Sequence, residues 1–123
     1  MNCLFAIPAH ASDGAEQLAA QYTKALWALS DDVIALGDAL RAYCQSAKAA
    51  VLELEDEDWA AIAAEIAEPE AQRLTGELFL SPTNAQKLRQ ALASVGNSPE
   101  AQTVALWLGT QLLRDRPVVL LFD

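Results

Sequence analysis

The stretch VLELEDEDWAAIAAEIAEPE, Val51–Glu70, holds eight acidic residues and no basic one. Its second half has a helical period. Trp59, Ile62, Ala63 and Ile66 fall on one side at 100° per residue, and Asp58, Glu65 and Glu68 fall opposite. Asp56 reads as the N-cap, and acids in the first turn suit the positive end of a helix. Pro69 ends this helix or opens a short new one.

Helical spacing continues on both sides. Upstream, no proline occurs between Pro8 and Pro69. Asp13 with Glu16 resembles a capping box, and Leu18, Tyr22, Ala25, Leu26 and Leu29 then share a face. Ser30 to Asp32 reads as a turn, with Ser30 or Asp31 capping a second helix whose stripe is Val33, Leu36, Leu40, Tyr43, Ala47 and Val51. Downstream, Ser81-Pro82 and Ser98-Pro99 are each a serine cap followed by proline at the first helical position. The first of these helices buries Ala85, Leu88, Leu92 and Val95 and stops at Gly96. The second buries Val104, Trp107, Leu108 and Leu112.

Three short stretches lack a helical pattern: residues 3–7, 76–80 and 117–122. Each reads either as a strand of a small sheet or as a buried extended segment. The expectation is a mainly α fold, a compact bundle of about five helices in a single domain over 1–123, with those three segments beside it. Alanine makes up roughly a fifth of the 123 residues, which favours helix and close packing around a few large anchors. The anchors are Phe5, Tyr22, Trp27, Tyr43, Trp59, Phe79, Trp107 and Phe122.

Charge narrows the function classes. The net charge is −9, and nearly all of it lies in residues 1–72, with 13 acids and 3 bases; residues 73–123 carry 4 acids and 5 bases. Such a surface repels nucleic-acid phosphate and anionic membranes, so neither direct nucleic-acid binding nor membrane binding is expected. No run approaches 18 apolar residues. Ala9-His10-Ala11 has the form of a signal-peptidase site, but no Lys or Arg precedes it and the apolar stretch ends at Pro8. Two cysteines, Cys3 and Cys44, read as reduced thiols of a cytoplasmic protein.

Chemistry-bearing patterns fail one by one. A calcium loop needs glycine at its sixth position and glutamate at its twelfth, and registers begun at Glu53, Glu55 or Asp56 break this pattern. His10 is the only histidine, too few for a zinc or di-iron site. A Cys44–His10 pair is a candidate nucleophile–base combination, but Cys44 reads better as a small core residue. None of the five glycines forms a phosphate-cradling motif. The helix from Pro99 presents Glu100, Gln102, Thr103 and Gln111, a poor set for a DNA groove.

The expected function is therefore a non-enzymatic protein–protein interaction module (an adaptor, chaperone or inhibitor) without a cofactor or metal. Its expected partner is another protein, favoured if basic. The expected contact residues are Glu53, Glu55, Asp56, Glu57, Asp58, Trp59, Glu65 and Glu68. Trp27, beside the first stripe, is a further candidate contact. The alternative is an acidic inhibitor that mimics nucleic acid and fills the basic channel of a nucleic-acid-processing protein, as phage and mobile-element proteins do. Ala60, Ala64 and Ala67 form a small-residue strip that could seat another helix of this chain or of a second copy.

Overall fold

In the computed structural model the described residues are 2–95 and 98–121. The chain is mainly helical, with a small antiparallel sheet at its centre. Strand β1 (Asn2–Ala6) leads through a 3-10 turn at Ala9–Ala11 into helix α1 (Ser12–Trp27), and α2 (Val33–Ser46) returns beside it. Strand β2 (Ala50–Leu54) is followed by α3 (Asp56–Glu65) and the short α4 (Pro69–Leu74). Strand β3 (Phe79–Leu80), α5 (Pro82–Ala93), α6 (Pro99–Leu112) and β4 (Val118–Leu121) complete the order.

The strand order is β2-β1-β4-β3, every neighbour antiparallel. The two central strands are the first and the last in the chain. Both are buried along their whole length, because helices cover both faces of the sheet. On one face Leu4, Leu80, Val118 and Leu120 meet α3 to α6; on the other Cys3, Phe5, Val119 and Leu121 meet α1 and α2. The period-two geometry of a strand explains the split, since alternate residues of one strand feed opposite layers. A strand buried on both faces reads as a continuous apolar run, and PVVLLF does so.

The three segments read as extended are strands, although residues 76–80 pair only at Phe79 and Leu80. A fourth strand, β2, corrects the sequence reading. The stripe running on to Ala47 and Val51 does not continue as helix. Lys48 takes a left-handed conformation (φ 57°), and the Ala49 N–H returns to the Cys44 carbonyl at 3.1 Å, which closes the helix. Beyond it Leu52 and Leu54 pack on the α3–α6 side, while Val51 and Glu53 are exposed. Proline at the start of α4 makes it a separate helix, so six α-helices stand among the described residues where about five were expected.

The caps divide cleanly. Ser81 Oγ accepts from the Asn84 N–H and Ser98 Oγ from the Ala101 N–H, both at 3.2 Å, as the Ser-Pro pattern requires. The Asp13–Glu16 capping box does not form. The 3-10 turn runs straight into α1, whose cap position is Ala11. Asp32 precedes α2 and Glu55 precedes α3, neither with a side-chain cap bond, and Asp56 is the first helical residue instead of the cap. Gly96 and Phe122 lie outside the described residues.

The α1 stripe is rotated from its expected position. Ala15, Ala19 and Ala25 are buried, Leu18 and Tyr22 are half-buried, and Leu26 and Leu29 are exposed. Small side chains let the helix sit close on the sheet, and that contact turns the larger leucines at its C-terminal end outward. In α6, Val104 and Leu108 are buried as expected, whereas Trp107 and Leu112 are half-buried at the margin of the core.

Candidate functional site

Two surfaces hold the residues singled out above. The first is the acidic run from β2 into α3. Glu53, Glu55, Asp56, Glu57, Glu65 and Glu68 are exposed, and Asp58 is half-buried. Asp56, Glu57 and Asp58 occupy the first turn of α3, where helix-end charge favours them. Glu53, Glu55, Glu57, Asp58, Glu65 and Glu68 make no ion pair among the described residues. Further along, Glu70 is paired with Lys87 at 3.1 Å and Glu77 with Arg73 at 3.0 Å, both exposed.

Trp59 does not belong to this surface, which corrects its place among the contact residues. It is 5% exposed, and its indole N–H donates to the Thr75 carbonyl at 3.1 Å. That bond satisfies the one polar atom of the ring, so Trp59 works as a core anchor tying α3 to the end of α4. The strip Ala60, Ala64 and Ala67 is exposed.

The second surface is the turn between α1 and α2. Trp27 is 85% exposed, Leu29 90% and Ile34 77%, with Leu26 partly exposed beside them. These four lie within nine residues of sequence. Leu29 is in the left-handed region (φ 51°), and the Ser30 N–H returns to the Ala25 carbonyl at 3.0 Å. This is the Schellman way of ending a helix, with leucine where glycine is usual. Two grooves lie beside the turn, and Tyr22 lines both. One, of about 620 Å³, is lined by Tyr22, Leu26, Trp27, Arg73, Glu77 and Leu78. The other, of about 190 Å³, is lined by Tyr22, Val33, Ile34, Gly37, Asp38, Arg41 and Leu121.

Sequence reasoning singled out Trp27 and missed its neighbours, because Leu26 and Leu29 were assigned to the buried stripe. One signal was available: Trp27 stands one position beyond Leu26 and three before the polar run Ser30-Asp31-Asp32, where a helix end leaves the core.

Cys3 and Cys44 are free and buried. Burial pushes the Cys44 thiol up from 9.0 to about 11, against a smaller opposing pull from Arg41. Arg41 Nη1 also donates to Cys3 Sγ at 3.4 Å. His10 is exposed in the 3-10 turn, with no hydrogen bond to Cys44 among the described residues. No three His, Cys, Asp or Glu side chains among the described residues stand together as a metal-holding group. No helix among them is long and apolar enough to cross a membrane.

No family model, curated protein or solved structure matches the chain.

Proposed function

We propose that this protein is a non-enzymatic binding module that docks on another protein through the α1–α2 turn. One observation carries the reading: Trp27, Leu29 and Ile34 stand in solvent together at one turn. Single exposed apolar residues are ordinary, but clustered ones mark contact surfaces. Tryptophan is the residue type most enriched where binding energy concentrates. The acidic run at 53–68 then serves as a steering surface, raising the encounter rate with a basic partner without supplying most of the affinity.

The test is capture of partners from nuclease-treated lysate by three forms: the native chain, Trp27→Ala, and a chain with Glu53, Glu55, Asp56, Glu57 and Asp58 changed to their amides. The binding-module reading expects a stoichiometric partner that Trp27→Ala loses. It expects the amide variant to retain that partner at high protein concentration. Equal capture by the native chain and Trp27→Ala contradicts docking at the turn.

Nucleic-acid mimicry is the second reading, and the six acidic side chains between Glu53 and Glu68 that have no ion pair among the described residues are what favour it. It expects the opposite pattern. The amide variant loses the partner, added nucleic acid competes for it, and binding falls steeply with salt.

A further inference from the structure

The apolar turn has a charged border. Asp31, Asp32 and Asp38 are exposed around Ile34, and none has an ion pair among the described residues. On the other side Arg73 is held by Glu77, and Lys24 lies most of a turn back along α1. The turn therefore offers an apolar patch bordered by three aspartates at the start and on the first turns of α2, with Arg41 as the cation that shares the smaller groove with Asp38. The larger groove beside it falls in the size range of pockets that accept one bulky group.

A second copy of this chain fits poorly. A two-fold pairing would bring the same three aspartates of each copy toward one another, between molecules that each carry −9. A complementary occupant has apolar side chains on one face and cations along its flank. We infer that the turn accepts a cationic amphipathic helix of a partner protein, a step that rests on the binding-module reading above. An apolar anchor of that helix enters the groove between Tyr22, Leu26, Trp27 and Leu78. Its neighbours cover Leu29 and Ile34, and its lysines or arginines meet Asp31, Asp32 and Asp38. This is helix-in-groove recognition, in which anchors at i, i+3, i+4 and i+7 give affinity and flanking charge sets orientation.

Leu29 adds an argument from backbone conformation. Lys48 and Asp115 also adopt positive φ, yet both are polar side chains in solvent. Leu29 alone of the three combines that conformation with an exposed apolar side chain, which returns nothing to the free protein. A partner that covers it supplies the missing compensation.

The test uses the full chain and a peptide of about eighteen residues, some five helical turns, with leucine at i, i+3, i+4 and i+7 spacing and lysine elsewhere. A scrambled peptide of the same composition and one with glutamate for lysine are the controls. Binding is followed by amide and indole NMR shifts. The expected result is saturable shifts at the Trp27 indole and in residues 22–38, from the patterned lysine peptide alone. Trp27→Ala, whose melting temperature should match the native chain, weakens binding roughly tenfold or more. Changing Asp31, Asp32 and Asp38 to Asn weakens it several-fold and flattens its salt dependence.

Shifts centred on residues 53–58, equal binding of the scrambled peptide, or no binding would overturn the inference. If the peptide fails while Trp27→Ala still abolishes capture from lysate, the partner chemistry is wrong and the binding-module reading stands. If Trp27→Ala changes neither, both readings fall.

Discussion

Tyr43 of α2 crosses α1 at Gly14, where a β-carbon would collide with the phenol oxygen and stand 2.6 Å from Cζ. The Tyr43 hydroxyl continues past the glycine and donates to the Ala11 carbonyl at 3.1 Å. The reverse contact lies further along the hairpin, where a β-carbon on Gly37 of α2 would be 2.9 Å from Cε2 of Tyr22 of α1. Each helix thus opens a gap for a tyrosine of the other, and the pair is locked in register as it lies on the sheet. The same Tyr22 lines both grooves at the exposed turn, so this packing also shapes the candidate docking surface.

Gly14→Ala tests the crossing. Helix propensity alone would favour alanine by about 1 kcal/mol. Here the methyl displaces Tyr43 and breaks its bond to Ala11, so the net expectation is a loss of about 1–2 kcal/mol in urea unfolding. In a Tyr43→Ala background the obstruction is gone, and the same substitution should become stabilising. A loss of equal size in both backgrounds would show that Tyr43 is not the cause.

Leu29→Gly should stabilise the free protein by about 1 kcal/mol, because glycine adopts positive φ without the β-carbon penalty. Lys48→Gly should behave alike. The two differ in function: Leu29→Gly should weaken partner binding and Lys48→Gly should not. Thermal unfolding paired with a capture assay reads both effects, and a destabilised Leu29→Gly would mean that Leu29 packs on the chain.

Cys44 makes stability depend on alkaline pH. Its thiol holds the proton to about 11 in the folded chain, against 9.0 for the ordinary group. Between those values the unfolded chain binds fewer protons than the folded one, so stability falls as pH rises. The contribution is fully present below pH 9 and is lost progressively up to about pH 11. Other groups titrate there too, so the readout is the difference between the native chain and Cys44→Ala. The native chain should lose stability more steeply over that window. A native thiol that reacts quickly with Ellman's reagent at pH 8 would contradict the burial behind this shift.

Gln111 is 7% exposed and its Oε1 has no hydrogen-bond partner among the described residues. An unsatisfied buried acceptor costs about 1–3 kcal/mol. Gln111→Met, close in volume and flexible, should therefore be neutral or stabilising by about 1 kcal/mol in chemical denaturation. A clear loss would reveal a bond made by this side chain in solution.

Local rules were readable wherever one residue type has one use. The Ser81-Pro82 and Ser98-Pro99 caps, the Trp59–Ile62–Ile66 stripe and the apolar run at Val118–Leu121 rest on backbone donors, helical period and strand propensity. These act over a few residues. The acidic run at 53–58 was legible for the same reason, as charge at the start of a helix.

The tertiary structure alone decided three things. It ended α2 at Ser46, because pairing Ala50–Leu54 with β1 outweighs an i+4 spacing that would have carried the helix on to Val51. It gave the indole N–H of Trp59 its partner, the Thr75 carbonyl. It also rotated α1 so that Ala15 and Ala19 pack into the core with Cys3, Phe5 and Leu121, leaving Leu26, Trp27 and Leu29 in water. A sequence states which side chains are apolar and at what spacing. Which of two adjacent helical faces goes inward depends on how closely each fits a sheet built from both ends of the chain, and that information is not local.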